Sequence, residues 1–434
     1  MKPVKIRGPL RRVKGEIRTP SDKSISHRSL ILGSIAEGVT RVRNILRSAD
    51  TLATLEILRS IGTEIVEEDG EVIIKGRGYK FKEPSDVLNA KNSGTTARLM
   101  MGILSTQPFF SVITGDESLR SRPMGRVVIP LREMGAEIMG RNLGENLPVA
   151  INGRRLRAIS HTNRRSSAQV KSALLLAGLG AEGITEVFEP ILSRDHTERM
   201  LRAFGGKVVV ISEEEGHLIK VAGGQVLRGT EVICPADPSS SAFFAALAVL
   251  TDGELLLRDV LVNPTRDGFF RKLIDMGADV SYLDEREVAG EPIADVRIKG
   301  GKELNGIKVG GNEIPSMIDE IPILAVVMSL ARGRSVVRGA KELRFKESDR
   351  IKAVCQHLRK MGANIEELDD GFVVEGVSSL KGTEISTGGD HRIAMAFTVA
   401  GLVAEGETII DDPDCVSISY PGFYKDLFSL IENS

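Results

Sequence analysis

Leu58-Arg59-Ser60-Ile61-Gly62-Thr63-Glu64-Ile65 reads as the end of an amphipathic helix, a glycine that turns the chain, and the start of a strand. The same phrase, Leu-x-x-apolar-Gly-x-x-apolar, returns at Leu131–Ile138, Leu201–Val208, Leu273–Val280 and Leu358–Ile365. Glycine after a helix is common, so one such phrase means little; five in register are hard to reach by chance. A second phrase opens strands after apolar helices, at Ala36-Glu37-Gly38, Ala181-Glu182-Gly183, Thr251-Asp252-Gly253, Ala331-Arg332-Gly333 and Ala404-Glu405-Gly406. The spacing of Gly62, Gly135, Gly205, Gly277 and Gly362 implies six α/β units, each with two helices and short strands of βαβ character. Solenoid repeats have periods of roughly 20–50 residues, so units of about seventy residues point instead to small subdomains that cluster in threes.

Two stretches look like seams: Arg18-Thr19-Pro20-Ser21, and the Pro/Ser-rich Cys234-Pro235-Ala236-Asp237-Pro238-Ser239 at mid-chain. Crossings there predict a first lobe over 20–235 and a second lobe made of 1–19 and 236–434, with a cleft between them. The chain of 434 residues, 41% hydrophobic and 27% charged, can fill such cores. Lys+Arg 58 against Asp+Glu 59 gives net charge -1, which argues against a nucleic-acid partner. Three scattered cysteines make neither a disulfide framework nor a zinc site, and they fit a reducing compartment. Apolar runs such as Ala242–Leu250 are too short for a membrane span, and the basic N-terminus lacks the apolar stretch of a secretory signal. A cytoplasmic, monomeric protein is expected.

Basic and hydroxyl residues gather where apolar helices begin. The first cluster is Ser21-Asp22-Lys23-Ser24-Ile25-Ser26-His27-Arg28, the second Asn92-Ser93-Gly94-Thr95-Thr96-Ala97-Arg98. Helix amides, hydroxyls and cations together suit phosphate or carboxylate, and Gly94 lets an anion approach the backbone. Arg120-Ser121-Arg122-Pro123-Met124-Gly125-Arg126 sets three arginines near a proline suited to the first helical position. Ser166-Ser167-Ala168-Gln169 and Ser193-Arg194-Asp195-His196 follow the same theme. The second half adds Asp319-Glu320 before an apolar helix, then Lys346-Glu347-Ser348-Asp349-Arg350, where Lys346 and Arg350 share a helix face, and Asp390-His391-Arg392. Each cluster alone reads equally well as a polar cap or a solvated charge pair. Together they imply a locally cationic site for small anions, with carboxylic acids for proton transfer. No Walker A phrase and no G-x-G-x-x-G after a strand is present, which excludes the common nucleotide-binding classes.

In this order the clusters Asp22–Arg28, Asn92–Arg98, Arg120–Met124, Ser167–Gln169, Ile318–Glu320, Lys346–Arg350 and Asp390–Arg392 resemble those of the enolpyruvyl transferases, most closely the branch that acts on shikimate 3-phosphate. The resemblance implies an α/β fold of two lobes, each of three βαβαββ-type units about a pseudo-threefold axis. It implies transfer of the enolpyruvyl group from phosphoenolpyruvate to the 5-hydroxyl of 3-phosphoshikimate, with no metal and no organic cofactor. Carried over by position, Lys23 contacts both substrates. Ser24, Arg28, Ser166, Ser167, Gln169, Ser193, Asp319 and Lys346 bind 3-phosphoshikimate, and Gly94, Arg122, Gln169, Arg350 and Arg392 bind phosphoenolpyruvate. Asp319 takes the hydroxyl proton and Glu347 protonates the methylene carbon. Retention of Gly94 implies that glyphosate competes with phosphoenolpyruvate.

The chain departs from the family at Asp22, Ala168 and Glu342. It also departs near Ile418, where Ser417-Ile418-Ser419-Tyr420-Pro421 stands in place of a lysine that would be one more anion ligand. Two other readings are an enolpyruvyl transferase acting on UDP-N-acetylglucosamine and a non-catalytic, ligand-binding repeat protein. The first uses a loop cysteine, and Thr114–Arg126 contains none. Joint retention of Lys23, Asp319 and Glu347 speaks against the second.

Overall fold

The computed structural model describes residues 2–432. Six helices are buried over nearly their whole length: Lys23–Ile35, Gly94–Leu104, Ala168–Leu179, Pro238–Val249, Ile321–Ser329 and His391–Val403. Their residues are apolar or small all the way round, which leaves no face for water. Where serine intrudes, its hydroxyl returns to a carbonyl one turn back, as Ser29 does to Ile25 (2.8 Å) and Ser34 to Leu30 (2.7 Å).

Amphipathic helices alternate with these in the chain: Ala49–Ser60, Gly125–Glu133, His196–Ala203, Gly268–Asp275, Arg350–Lys360 and Phe423–Glu432. The first five end in the repeated glycine, whose φ is 91° at Gly62, 104° at Gly135, 80° at Gly205, 97° at Gly277 and 91° at Gly362. A side chain at those angles would be strained, so the phrase that betrays the repeat is the residue the turn requires.

Small sheets of one recurring order accompany the helices. Leu88–Asn89 runs parallel to Phe110–Thr114, which pairs antiparallel with Asn146–Asn152, which pairs antiparallel with Glu137–Arg141. The order repeats in the sheet of Glu231–Ile233, Glu37–Arg43, Glu71–Arg77 and Glu64–Glu68, and in that of Ser160–Thr162, Ile184–Glu189, Gly216–Ala222 and Val208–Glu213. It recurs in Lys308–Val309, Arg334–Val337, Gly371–Glu375 and Asn364–Leu368. Leu156–Arg157 and Ala181–Glu182 form a two-stranded sheet of their own, and in the last two sheets the chain's first strands fill the gaps. Lys14–Ile17 lies parallel to Glu254–Leu261, and Val4–Gly8 pairs antiparallel with Gly406–Ile410, itself parallel to Glu384–Ile385. Six α/β repeats are therefore present, the sixth with three strands instead of four.

Contacts divide the chain into two compact units. One is Ser21–Cys234 with the short segment Glu287–Glu291; the other gathers the chain up to Pro20, Pro235–Arg286 and the segment from Pro292 onward. Each contains three of the enclosed helices. No helix among the described residues is long and apolar enough to cross a membrane.

Two local expectations need correction. Pro123 does not open a helix: it precedes Met124, the cap of Gly125–Glu133, and Arg120 lies in a separate short helix, Glu117–Ser121. Lys346 and Arg350 do not share a helix face, because Asp349 caps a helix that starts only at Arg350 while Lys346 is extended. The Asp349 side chain accepts the Lys352 amide at 3.0 Å, and that cap sets the boundary.

Within the Ser21–Cys234 unit, Gly94–Leu104 crosses Ala168–Leu179 so closely that a Cβ on Gly102 would lie 2.3 Å from the Ala173 carbonyl oxygen. Gly102→Ala is expected to lower unfolding stability by about 2–3 kcal/mol. Gly310→Ala, where a Cβ would meet nothing within 4 Å, is expected to be close to neutral. Urea midpoints of the two variants decide the matter; equal midpoints would mean that the crossing relaxes freely.

Candidate active site

In the Ser21–Cys234 unit the three enclosed helices are linked to one another at their N-terminal ends. The first joins the second through His27 Nδ1 and Thr54 Oγ1 (2.7 Å), Thr54 and Thr96 Oγ1 (2.6 Å), and Thr96 Oγ1 donating to Ser93 Oγ (2.7 Å). The second joins the third because Arg98 Nη1 donates to Gln169 Oε1 (2.6 Å) and Gln169 Nε2 to Thr95 Oγ1 (3.0 Å). The third returns to the first through Arg28, whose Nη2 donates to Ser172 Oγ (2.8 Å) while Nε donates to Thr197 Oγ1 (2.7 Å). Every member of the ring has a fixed hydrogen-bond partner, so Arg28 and Arg98 within it are held in place and not left to sample rotamers.

On this frame Lys23 Nζ sits 3.1 Å from Asp50 Oδ2. Gly94 is the first residue of its helix, and a Cβ there would lie 2.7 Å from Arg98 Nη1 and 3.8 Å from Arg122 Nη1. Two guanidiniums thus overhang a helix N-terminus that has no side chain of its own, an arrangement suited to a small anion. Arg122 is steered by Asn92, whose Oδ1 accepts from Nη2 at 2.7 Å. Arg28 is deeply buried, and burial pulls its pKa down to about 10, still cationic at neutral pH. Ser24 lies in the first turn of its helix, where its carbonyl accepts from Arg28 Nη1 (3.0 Å). Ser166 is held at φ 47°, a left-handed conformation costly for a residue with a side chain. Ser167 caps the third helix.

The expectation for Ser193 changes in one respect. Its hydroxyl is buried and donates to Glu189, at 2.8 Å from Oε1 and 2.9 Å from Oε2.

In the other unit the corresponding helix ends are dominated by acids around one cation. Arg350 is 1% exposed, and its fork reaches three carboxylates: Nε to Asp390 Oδ2 (2.9 Å), Nη2 to Glu347 Oε2 (2.6 Å) and Nη1 to Asp319 Oδ1 (3.3 Å). Burial works against its charge, but Asp390, Glu347 and Asp319 outweigh that and hold it protonated. Lys346 Nζ approaches Asp319 at 3.5 Å, so both basic residues still meet one acid despite the broken helix. Burial pushes Asp390 up, and the attraction of Arg350 reverses the net direction to downward. Arg392 is buried next to this cluster, and its Nε and Nη1 have no hydrogen-bond partner. A buried guanidinium with idle donors calls for an anion. Ser239 bonds Glu320, and Arg266 Nη2 donates to Asp237 Oδ1 (3.1 Å) and Ser239 Oγ (3.0 Å), which ties the remaining helix ends together.

The structure therefore groups Lys23, Ser24, Arg28, Gly94, Arg122, Ser166, Ser167, Gln169 and Ser193 at the helix starts of one unit. Asp319, Lys346, Glu347, Arg350 and Arg392 gather in the other. The sequence clusters include Arg98 and Asp390 without giving either a role, and they miss Asp50. The role of Arg98 could have been found from its place one helical turn after Gly94; Asp50 carries no such signal, since only the tertiary fold brings it to Lys23.

Residues 8–427 match the model of the family described as EPSP synthase (3-phosphoshikimate 1-carboxyvinyltransferase). The chain is 62% identical over 424 residues to the 3-phosphoshikimate 1-carboxyvinyltransferase of Aquifex aeolicus, with 98% of each chain covered. It is 54% identical over 424 residues to that of Persephonella marina, covering 97% of this chain and 98% of the relative. An EPSP synthase structure from Acinetobacter baumannii superposes with TM-score 0.86 at 44% identity, over 99% of this chain and 97% of that one.

His391 gives the cluster a measurable pH signature. Burial, then the Arg392 charge, pull its pKa to about 3 from the usual 6.5. The unfolded chain therefore binds one more proton than the folded chain at this residue between those values. The stability contribution is complete above 6.5 and is lost as pH falls toward 3, at about 1.4 kcal/mol per pH unit. Against wild type, His391→Gln should flatten the decline of unfolding free energy between roughly pH 6 and 4.5 by that slope; parallel curves would show that His391 protonates in the fold.

Proposed function

The chain belongs to the EPSP synthase family and transfers the enolpyruvyl group of phosphoenolpyruvate to the 5-hydroxyl of 3-phosphoshikimate, releasing phosphate in the shikimate pathway, and on that premise we propose which residues perform each step. The observation that carries the assignment is Arg350, whose guanidinium donates to both Asp319 and Glu347. One buried cation thereby fixes the two acids that addition and elimination require.

In the addition, Asp319 accepts the 5-hydroxyl proton as that oxygen attacks C2 of phosphoenolpyruvate, and Glu347 delivers a proton to C3, giving a tetrahedral ketal. In the elimination, the bond from C2 to the phosphate oxygen breaks and C3 returns its proton to Glu347. The proton count closes when the departing phosphate takes the proton on Asp319. Lys346, 3.5 Å from Asp319, favours the carboxylate form at the outset. Lys23, Gly94, Arg122, Gln169, Arg350 and Arg392 receive the carboxylate and phosphate of phosphoenolpyruvate. The idle Nε and Nη1 of Arg392 support its place among them. Lys23, Ser24, Arg28, Ser166, Ser167, Gln169 and Ser193 receive 3-phosphoshikimate, with Asp319 and Lys346 at its reacting side. Ile418, where a lysine would add a ligand, packs against the hydrophobic core, so the anion set works without it. We further place the protein in the cytoplasm as a monomer, which three buried free cysteines fit.

Phosphate release from phosphoenolpyruvate is expected with 3-phosphoshikimate and not with UDP-N-acetylglucosamine; the reverse preference would overturn the substrate. Asp319→Asn and Glu347→Gln should each lower kcat by about 10²–10⁴ while leaving binding of 3-phosphoshikimate detectable by calorimetry. Near-normal turnover in either removes that residue's role. Glyphosate should raise the apparent KM for phosphoenolpyruvate without changing the maximal rate. No effect at millimolar concentrations would show that the space over Gly94 does not admit it.

A further inference from the structure

Lys171 and Glu189 are wholly buried and touch neither acid assigned to proton transfer, yet they join the segments that carry Ser166, Ser167 and Ser193. Lys171 stands one turn into the Ala168–Leu179 helix. Its ammonium has three donors and three acceptors around it: Glu189 Oε2 at 2.9 Å, Glu198 Oε1 at 2.8 Å and the Ser193 carbonyl at 3.2 Å. Glu189, at the end of strand Ile184–Glu189, accepts from Lys171, from the Ser193 amide (3.0 Å) and hydroxyl, and from Asn163 Nδ2 (2.7 Å). Asn163 then clasps the backbone of Ser167 from both sides. Its Nδ2 donates to the Ser167 carbonyl (2.9 Å), and its Oδ1 accepts the Ser167 amide (3.3 Å). The Asn163 carbonyl accepts the amide of Ser166 at 2.9 Å. Ser166 is the residue at φ 47°, and its hydroxyl accepts the Ile191 amide (3.2 Å). A strained turn persists only where its surroundings over-determine it, and Glu189 with Asn163 supplies that determination.

We infer that Glu189 is a positioning residue for 3-phosphoshikimate: directly and through Asn163 it fixes the Ser166–Ser167 turn and the Ser193 loop at one spacing, so that the serine side chains meet the substrate together. The inference rests on the assignment of Ser166, Ser167 and Ser193 to that substrate. Lys171 pairs with Glu189, and a carboxylate has the lone pairs to accept four donors at once. Glu198 completes the ammonium shell; burial raises its pKa, and Lys171 opposes the rise. Glu198 and Thr197 are neighbours on one helix, Lys171 and Ser172 on another, and Ser172 and Thr197 bond each other (2.7 Å) while both accept from Arg28. The same brace therefore also steadies the arginine assigned to 3-phosphoshikimate.

The test compares Asn163→Ala, which cuts the side-chain link from Glu189 to Ser167 but spares the ion pair and the backbone bond to Ser166, with the double variant Lys171→Met/Glu189→Gln and with Ser167→Ala. Asn163→Ala is expected to raise the KM for 3-phosphoshikimate about tenfold while the KM for phosphoenolpyruvate and kcat stay within about twofold. The double variant should move the same constant in the same direction. A lowered melting temperature with both KM values unchanged would show the brace to be structural only and overturn the inference, as would an equal loss on both substrates. If the double variant does not fold, Asn163→Ala decides alone. A raised KM in Ser167→Ala with none in Asn163→Ala rejects the positioning role. An unchanged KM in Ser167→Ala rejects the substrate assignment beneath it.

Discussion

A helix enclosed by protein along its whole length can meet its surroundings only at its ends, where the first-turn amides have no partner within the helix. Six of the helices here are in that position, and in four of them a side chain at the start answers the demand. Asp22 accepts the Ile25 amide (2.8 Å), Ser93 the Thr96 amide (3.1 Å), Asp237 the Ser239 amide (2.7 Å) and Asp390 the Arg392 amide (2.9 Å). Polar residues are thereby driven out of the helix bodies and concentrated at one end of each. The chemistry sits where burial leaves room for it.

The two units use that constraint with opposite charge. In one, the helix starts face cations, Lys23, Arg28, Arg98 and Arg122, that neutral side chains and backbone carbonyls mostly hold in place. In the other, carboxylates surround Arg350, and the result is a pair of acids with a fixed relation to one guanidinium. Near-zero net charge hides both, because the sum over the chain cancels what each helix end keeps separate. Overall neutrality says much about polyanions and little about a dianion the size of phosphate.

The repeat was legible because its marker is a backbone necessity: a glycine at positive φ cannot drift without strain, so Gly62, Gly135, Gly205, Gly277 and Gly362 stand in register. Helix starts were legible for a similar reason, since caps and cations precede apolar runs. The residues that escaped notice are those whose meaning is wholly tertiary. Lys171 stands in an apolar helix like an error of composition until Glu189 and Glu198 are seen beside it. Asp50 lies 27 residues from Lys23, and nothing local marks the pair. Helix phase at Lys346–Arg350 was misread because the Asp349 cap, a single hydrogen bond, outweighs a charge pattern that fits a helix face.

The pairing of Val4–Gly8 with Gly406–Ile410, and of Lys14–Ile17 with Glu254–Leu257, gives the two units different histories during synthesis. The Ser21–Cys234 unit draws nearly all its residues from one continuous stretch and has its three four-stranded sheets once Ile233 has left the ribosome. The other unit needs the first strands made and the last: its three-stranded sheet stays open until residue 410 appears. Val4–Gly8 must wait through almost the entire translation of the chain before its partner appears, and Lys14–Ile17 until residues 254–257. The half that holds Asp319, Glu347 and Arg350 is thus the last to be completed, and a chain cut after Cys234 has the cationic helix starts without those carboxylates.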